Sequence, residues 1–322
     1  MTQLIAEFCQ NHNGDMDVLA RMVEAAAKAG ATHGKMQTIL AATIAYRPQF
    51  EEGLVVDGVV KSIKRPYAAE YERLKGLELG QEDTLRFIQL CRDHGLVPMT
   101  TCFVRAHARQ LAEAGFPAIK VASYDCASFP MLRELVQLFD EIIVSTGATF
   151  DDEVEHAASI LKGKDFAFLQ CVTLYPTPLD QMHLARMDWL RSLAPRVGFS
   201  DHSLMARDGL VASKAALALG ADVIERHFTI LGPTESRDGP VSITPAGMAE
   251  LAEFASLPLQ ERLARMDVQH PGWQVARGQL RRQLSDAELL NRDYYRGRFA
   301  SPRAESRHGT RMIFNWEETP VA

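Results

Sequence analysis

Apolar positions along this chain follow two alternating rhythms. Short apolar runs such as Leu4-Ile5-Ala6-Glu7-Phe8 read as strands, while apolar residues three and four apart, such as Leu19, Met22, Val23 and Ala26, read as a helix. The pair recurs, placing eight strand centres near Ala6, Gly34, Met99, Lys120, Val144, Leu169, Val197 and Ile224. Helical patterning fills the gaps near 17–29, 81–94, 104–114, 130–138, 151–162, 184–193, 207–219 and 245–257. Gly30, Gly95, Gly115 and Gly220 stand where a helical stretch gives way to a strand, the place where a left-handed residue closes a helix. The gap 38–80 is longer, carries Pro48, Gly53, Gly58 and Pro66, and predicts an inserted loop with a helix near Ala68–Leu74. Alternating strand–helix units of this number predict an α/β fold, a parallel (β/α)8 TIM barrel over residues 1–260 with an arginine-rich C-terminal extension over 261–322. A doubly wound open sheet is the alternative, but no G-x-G-x-x-G follows a strand.

A barrel gathers its chemistry at the carboxyl ends of its strands. There the sequence places Glu7; Lys35 and Gln37; Thr100 and Thr101; Lys120 and Ser123; Ser145 and Thr146; Thr173 and Tyr175; Ser200, Asp201 and His202; Glu225 and His227. Val197 to Ser203 and Ala221 to Thr229 share one design, an apolar run ending in an acid and a histidine, with an alanine-rich helix between them. Histidines delivered by neighbouring parallel strands suit a shared divalent metal; the alternative is that each is a hydrogen-bonded strand-end histidine. Lys35 and Lys120 end apolar strands, where a buried ammonium needs an anion. With the surrounding hydroxyls they suit a phosphate and a carboxylate on one small ligand, or else they form structural ion pairs with Glu7 or Asp125. Ser145-Thr146-Gly147 fits either an ordinary turn or a phosphate contact.

Bulk composition narrows the class. The 322 residues are 47% hydrophobic and 24% charged, as in soluble globular proteins. No apolar run approaches the roughly 20 residues of a membrane span, and the N-terminus lacks the basic and apolar regions of a signal peptide. Five cysteines without a C-x-x-C favour reduced thiols, so a cytoplasmic protein is expected, with Cys102 and Cys171 as small buried residues. The net charge of −6 argues against general nucleic-acid binding, although residues 271–322 carry nine arginines and no lysine against six acids.

Taken in order, the strand-end stretches resemble the sialic acid synthase (N-acetylneuraminate synthase) family. They are Ile5-Ala6-Glu7 with Asn11-His12-Asn13-Gly14, Gly34-Lys35-Met36-Gln37-Thr38, Ile119-Lys120-Val121-Ala122-Ser123, Ser145-Thr146-Gly147, Tyr175-Pro176-Thr177-Pro178, Gly198 to Ser203, and Glu225 to Thr229. The resemblance runs from residue 5 to about 257. It implies a transferase that condenses phosphoenolpyruvate with an amino sugar to a nonulosonic 2-keto acid and phosphate. It also implies that His202 and His227 hold a divalent metal, manganese or magnesium. Lys35, Thr101, Ser123 and Ser145 would meet phosphate, Lys120 and Ser200 the carboxylate, and Glu7, Gln37, Tyr175 and Asp238 the sugar. Thr173 joins the substrate-binding set, and Glu7, Lys120 and Asp238 join the histidines as catalytic residues. A homodimer is a further implication.

Two departures fall on the acceptor side. The family's C-terminal antifreeze-like domain has no counterpart pattern after His270, and the arginine-rich segment is expected either to pack as an arm, as charge-rich tails that stay solvated do, or to lend Arg298 or Arg303 to a neighbouring site. The family's short Gly-Pro-Asp loop is stretched here to Gly232–Gly239. Both suggest an altered acceptor. The competing readings are a metal-dependent aldolase or a synthase for another aldehyde, and a non-catalytic binding barrel.

Overall fold

The structure, a computed structural model, describes residues 2–306 and 309–321. Each expected strand centre lies in a strand: β1 Gln3–Cys9, β2 His33–Gln37, β3 Val97–Thr101, β4 Ala118–Val121, β5 Glu141–Ser145, β6 Asp165–Cys171, β7 Arg196–Asp201 and β8 Val223–His227. All pair in parallel, and β8 closes on β1 with Gln3 opposite Val223 and Glu7 opposite His227. The fold is the (β/α)8 barrel. Its helices are α1 Met16–Lys28, α2 Gln81–Asp93, α3 Ala108–Ala114, α4 Phe129–Leu138, α5 Asp151–Leu161, α6 Arg186–Leu190, α7 Val211–Ala218 and α8 Pro245–Ser256.

Local chemistry sets the boundaries. Asp15 caps α1 by accepting from the N–H groups of Asp17 and Val18. Gly30, Gly95, Gly115 and Gly220 all adopt positive φ, as the stop signals required. The helix expected over 207–219 is split: Gly209, at φ 52° and ψ −126°, separates a single turn at Met205–Asp208 from α7. Alanine-rich α7 is buried on nearly every side because a further helix, α9 Leu259–Gln269, packs outside it. The chain beyond the barrel therefore begins by covering it.

The long gap holds an exposed hairpin, Leu54–Val56 with Val59–Ser62, and the helix Tyr67–Lys75. This segment and the end of the chain share an apolar cluster of Ile39, Ala41, Ile44, Leu74, Val104 and Phe299. After α10, Asp286–Tyr295, whose Ser285 and Glu288 form a capping box, the backbone runs antiparallel to 43–45. Ala45 N–H donates to the Arg298 carbonyl and Ala300 N–H to that of Thr43, both over 2.9 Å. The expectation of a solvated arm is corrected: Arg298, beside these contacts, is buried, and so is Arg292, which donates to the Ala148 carbonyl and pairs with Glu153. Arg303 lies on the final hairpin, exposed.

Inside the barrel, side chains stack in layers. Ile5, Met99, Ala118, Ile143, Leu169 and Val223 fill an apolar floor. Two residues further along each of those strands stand Glu7, Thr101, Lys120, Ser145, Cys171 and Glu225, on the same inward face because strand side chains alternate with period two. The same step takes Gly198 to Ser200 and His33 to Lys35. A methyl at Gly198 would meet the Val223 carbonyl oxygen at 2.1 Å and Leu169 Cδ2 at 2.7 Å, so glycine is what lets β7 and β8 close over the floor.

Candidate active site

The polar layer opens into a cavity of about 410 Å3 at the carboxyl end of the barrel. All thirteen residues expected from the sequence line it: Glu7, Lys35, Gln37, Thr101, Lys120, Ser123, Ser145, Thr173, Tyr175, Ser200, His202, His227 and Asp238. At its base, Lys35 pairs with Glu7 and donates to Thr101 Oγ1 over 3.1 Å. Lys120 Nζ donates to Ser145 Oγ over 2.7 Å, and Ser200 Oγ to Glu225 Oε1 over 2.7 Å. Glu225 also lies 3.5 Å from Lys35 and 3.4 Å from Lys120. The ion pairs weighed as an alternative thus exist in part: Lys35 has Glu7, but Lys120 turns to Glu225 rather than Asp125. Asp125 instead accepts from Ser128 and Asn315, each over 2.9 Å, and burial pushes its carboxyl up to about 6.

The electrostatics of this base set burial against nearby charge. Burial and Lys120 push Lys35 down, opposed by Glu225, to about 8, which leaves it cationic at neutral pH. Burial pushes the Glu225 carboxyl up, but Lys120 and Lys35 outweigh it and hold the group well below the usual carboxylate range. Beside the lysines, Gly147 N–H donates to Ser123 Oγ over 3.1 Å; a Cβ at Gly147 would strike Thr173 at 2.8 Å, so the turn Ser145-Thr146-Gly147 packs flush under the cavity wall.

The histidines stand above. Burial, reinforced by His227, pushes His202 down to about 3, and burial lowers His227 as well, so both are neutral imidazoles. His202 Nδ1–H donates to the Val172 carbonyl over 3.2 Å, which fixes its tautomer, and the Tyr175 ring covers it at 4.0 Å. The two imidazoles are 5.5 Å apart, centroid to centroid. Asp201 and Arg226, between these residues in sequence, point the other way. They form a fully buried ion pair behind the strands, with Asp201 also accepting from Ser213 Oγ over 2.5 Å. The repeated acid–histidine design thus splits by alternation: Ser200, His202, Glu225 and His227 face the cavity, Asp201 and Arg226 the wall.

The residues fit a cation. His227 Nδ1 is buried with no hydrogen-bond partner among the described residues, and neutral imidazoles are the ligating form. Cys9, which the sequence reading passed over, joins this corner: one ligand atom each from Cys9, His227 and Asp238 lie within 4.8 Å of one another. The period-two step from Glu7 was the signal that places Cys9 on the inward face. Cys9 Sγ donates to Asp238 Oδ2 over 2.9 Å, and burial together with Asp238 pushes its thiol up, keeping the proton on sulfur.

The outer wall comes from the inserted gap, the loop after β8 and the chain end. Arg65, Arg73, Arg237, Asn291, Tyr295 and Arg298 line it, and Asn291 Nδ2 donates to the Thr173 carbonyl over 2.7 Å. Arg298, paired with Glu70, therefore enters its own barrel's cavity. Sequence patterning gave no means of folding 291–299 back over the mouth, since the contacts that do so are set by residues 250 positions away.

Comparison with known proteins agrees with this geometry. The family model described as NeuB family matches residues 22–257. The N,N'-diacetyllegionaminic acid synthase of Campylobacter jejuni is 30% identical over 258 residues, covering 76% of this chain and 72% of that one. The human N-acetylneuraminate-9-phosphate synthase is 28% identical over 265 residues, covering 79% and 69%. A crystal structure of the N-acetylneuraminic acid (sialic acid) synthetase from Leptospira borgpetersenii, in complex with citrate, superposes with a TM-score of 0.68 at 25% identity, covering 90% of each chain.

Proposed function

Since the chain belongs to the NeuB family, whose members here are named acid synthases, we propose that it condenses phosphoenolpyruvate with an amino-sugar aldehyde to give a nonulosonic 2-keto acid and phosphate. The observation that carries this reading is the base of the cavity: two buried cationic lysines ringed by Thr101, Ser123, Ser145 and Ser200. Buried ammonium groups and hydroxyl donors suit an anionic three-carbon ligand that carries both phosphate and carboxylate. Lys35, Thr101, Ser123 and Ser145 take the phosphate; Lys120 and Ser200 take the carboxylate.

In this reading the ligand's methylene carbon attacks the acceptor aldehyde, forming the new C–C bond. Water adds to the resulting cationic carbon, and phosphate departs from the tetrahedral adduct, leaving the 2-keto acid. His202 and His227 would hold a divalent cation, which would supply Lewis acidity for the aldehyde. Glu7 and Asp238, which both accept hydrogen bonds from Cys9, are the groups available to move the proton. Gln37, Thr173 and Tyr175 position the sugar. A donor-first arrangement follows from depth, since the lysines lie below the histidines and the acceptor enters past the arginine-lined wall.

A second reading differs only in the acceptor. It is favoured by that wall, where Arg65, Arg73, Arg237 and Arg298 line the same cavity. Among the described residues no helix is long and apolar enough to cross a membrane, and we place the reaction in the cytoplasm, with a homodimer as the expected assembly. The test is phosphate release from phosphoenolpyruvate with N-acetylmannosamine and related aldoses, with manganese and then with a chelator. Metal-dependent release with one acceptor supports the reading. Phosphoenolpyruvate binding without release selects another acceptor, and no binding selects a non-catalytic barrel.

A further inference from the structure

We propose that Cys9 is itself a ligand of the divalent cation, which is held by Cys9 Sγ and Asp238 together with His227. This rests on reading the cavity as a metal-dependent site; the Cys9 thiol releases its proton to solvent as the cation binds, and so adds a thiolate to the histidine pair.

Three observations support it independently. The first is proximity: the ligand atoms of Cys9, His227 and Asp238 lie within 4.8 Å of one another, and two of them, Cys9 Sγ and Asp238 Oδ2, are 2.9 Å apart. Metal–sulfur bonds of about 2.3 Å and metal–nitrogen or metal–oxygen bonds of about 2.0–2.2 Å hold ligand atoms at comparable separations. The second is the buried Nδ1 of His227, which has no hydrogen-bond partner among the described residues.

The third is the backbone. Cys9 sits at φ 48°, a left-handed conformation that glycine adopts freely and a cysteine only at a cost. It lies at the end of β1, where the register with β2 shifts between Glu7 and Cys9, and its N–H donates to Glu7 Oε1 over 2.7 Å. A side chain kept at a position that disfavours side chains needs a reason, and backbone strain of this kind collects at functional sites. Packing does not supply one. The thiol faces a polar cavity and meets a carboxylate, unlike a cysteine used as a small core residue.

The donor set also indicates the class of ion. Thiolate, imidazole and carboxylate together select a borderline transition ion, such as zinc, iron, cobalt or manganese, over magnesium, which takes oxygen ligands and keeps its waters.

The experiment loads the full-length protein, stripped with a chelator, with Co2+ and records binding stoichiometry and the near-ultraviolet thiolate-to-cobalt charge-transfer band. The expected result is one equivalent of Co2+ with the band present. Cys9→Ser is then expected to lose the band and to bind Co2+ about tenfold more weakly or worse, while Cys91→Ala, in the outer core away from the cavity, keeps both. Cys9→Gly, which the left-handed backbone accepts, guards against misfolding of the serine variant and should behave the same way. Tight Co2+ binding without the band, or a band that survives both Cys9 substitutions, overturns the ligation by Cys9 and leaves the metal-dependent reading standing. No Co2+ binding by the unsubstituted protein overturns both.

Discussion

Glu225 Oε1 stands 3.4 Å from Lys120 Nζ, joining two strands that lie opposite each other in the eight-stranded ring. The same carboxylate reaches Lys35 at 3.5 Å, so one buried anion serves two buried cations. Removing it leaves Lys120 with no paired carboxylate among the described residues and Lys35 with Glu7 alone. Glu225→Gln is expected to lower stability by about 3 kcal/mol, the usual cost of stranding a buried charge. Phosphoenolpyruvate should then raise the melting temperature more than it does in the unsubstituted protein, because its anionic groups restore the missing charge. Thermal shift with and without the ligand measures this; equal shifts in the two proteins would contradict it.

His202 is held by the Val172 carbonyl and covered by Tyr175, and its neutral ring makes no contribution to the barrel floor. His202→Ala is expected to reduce turnover by more than about 100-fold while the melting curve stays close to that of the unsubstituted protein. Retained turnover would remove His202 from the mechanism.

Arg298 reaches the cavity from the chain's own end. Arg298→Ala is expected to raise the acceptor KM roughly tenfold, the loss of one charged hydrogen bond of about 1.4 kcal/mol, with the phosphoenolpyruvate KM unchanged. A change confined to the donor KM would place Arg298 on the wrong substrate. Mixing Arg298→Ala with a Lys120→Ala protein should not restore activity, since each site uses its own arginine.

At the opposite end of the barrel, Glu141 accepts from Gln3 over 2.8 Å and pairs with Arg196 over 2.9 Å and His33 over 3.8 Å. Burial pushes its carboxyl up, but His33, Gln3 and Arg196 together prevail and hold it at about 2, below the ordinary 4.5. A depressed carboxylate pKa gives stability that is complete above the unfolded value and lost as pH falls toward the folded one. Stability should therefore decline between pH 4.5 and about 2. Glu141→Gln is expected to cost about 2 kcal/mol at pH 7 and to flatten that limb in urea titrations run across the range.

Gly198 is where the barrel closes most tightly. Gly198→Ala would drive a methyl to 2.1 Å from the Val223 carbonyl and is expected to cost about 3 kcal/mol or more, or to prevent folding. An alanine protein with an unchanged melting temperature would mean that β7 and β8 separate without cost.

Much of this molecule was legible along the chain, because the determining interactions are local. Periodicity in apolar residues, helix-stopping glycines at Gly30, Gly95, Gly115 and Gly220, and a fixed two-residue step along each strand placed the eight barrel strands, though not the hairpin at Leu54–Ser62 or the final one, and put Lys35, Lys120, Ser145, His202 and His227 at one end of a barrel. Side-chain alternation alone implies that Asp201 and Arg226 turn away from the neighbours with which they share a motif.

What the tertiary structure decided are the pairings between residues distant in sequence. Nothing local says that Lys120 takes Glu225 rather than Asp125, since that choice depends on which strands face each other after closure. Cys9 reads as one scattered thiol until the loop after β8 brings Asp238 to its sulfur. The arginine-rich end reads as a solvated arm until Phe299 joins the apolar cluster of the inserted segment and fixes Arg298 over the mouth. In each case a short-range rule supplies the residue, and only closure of the chain supplies its partner.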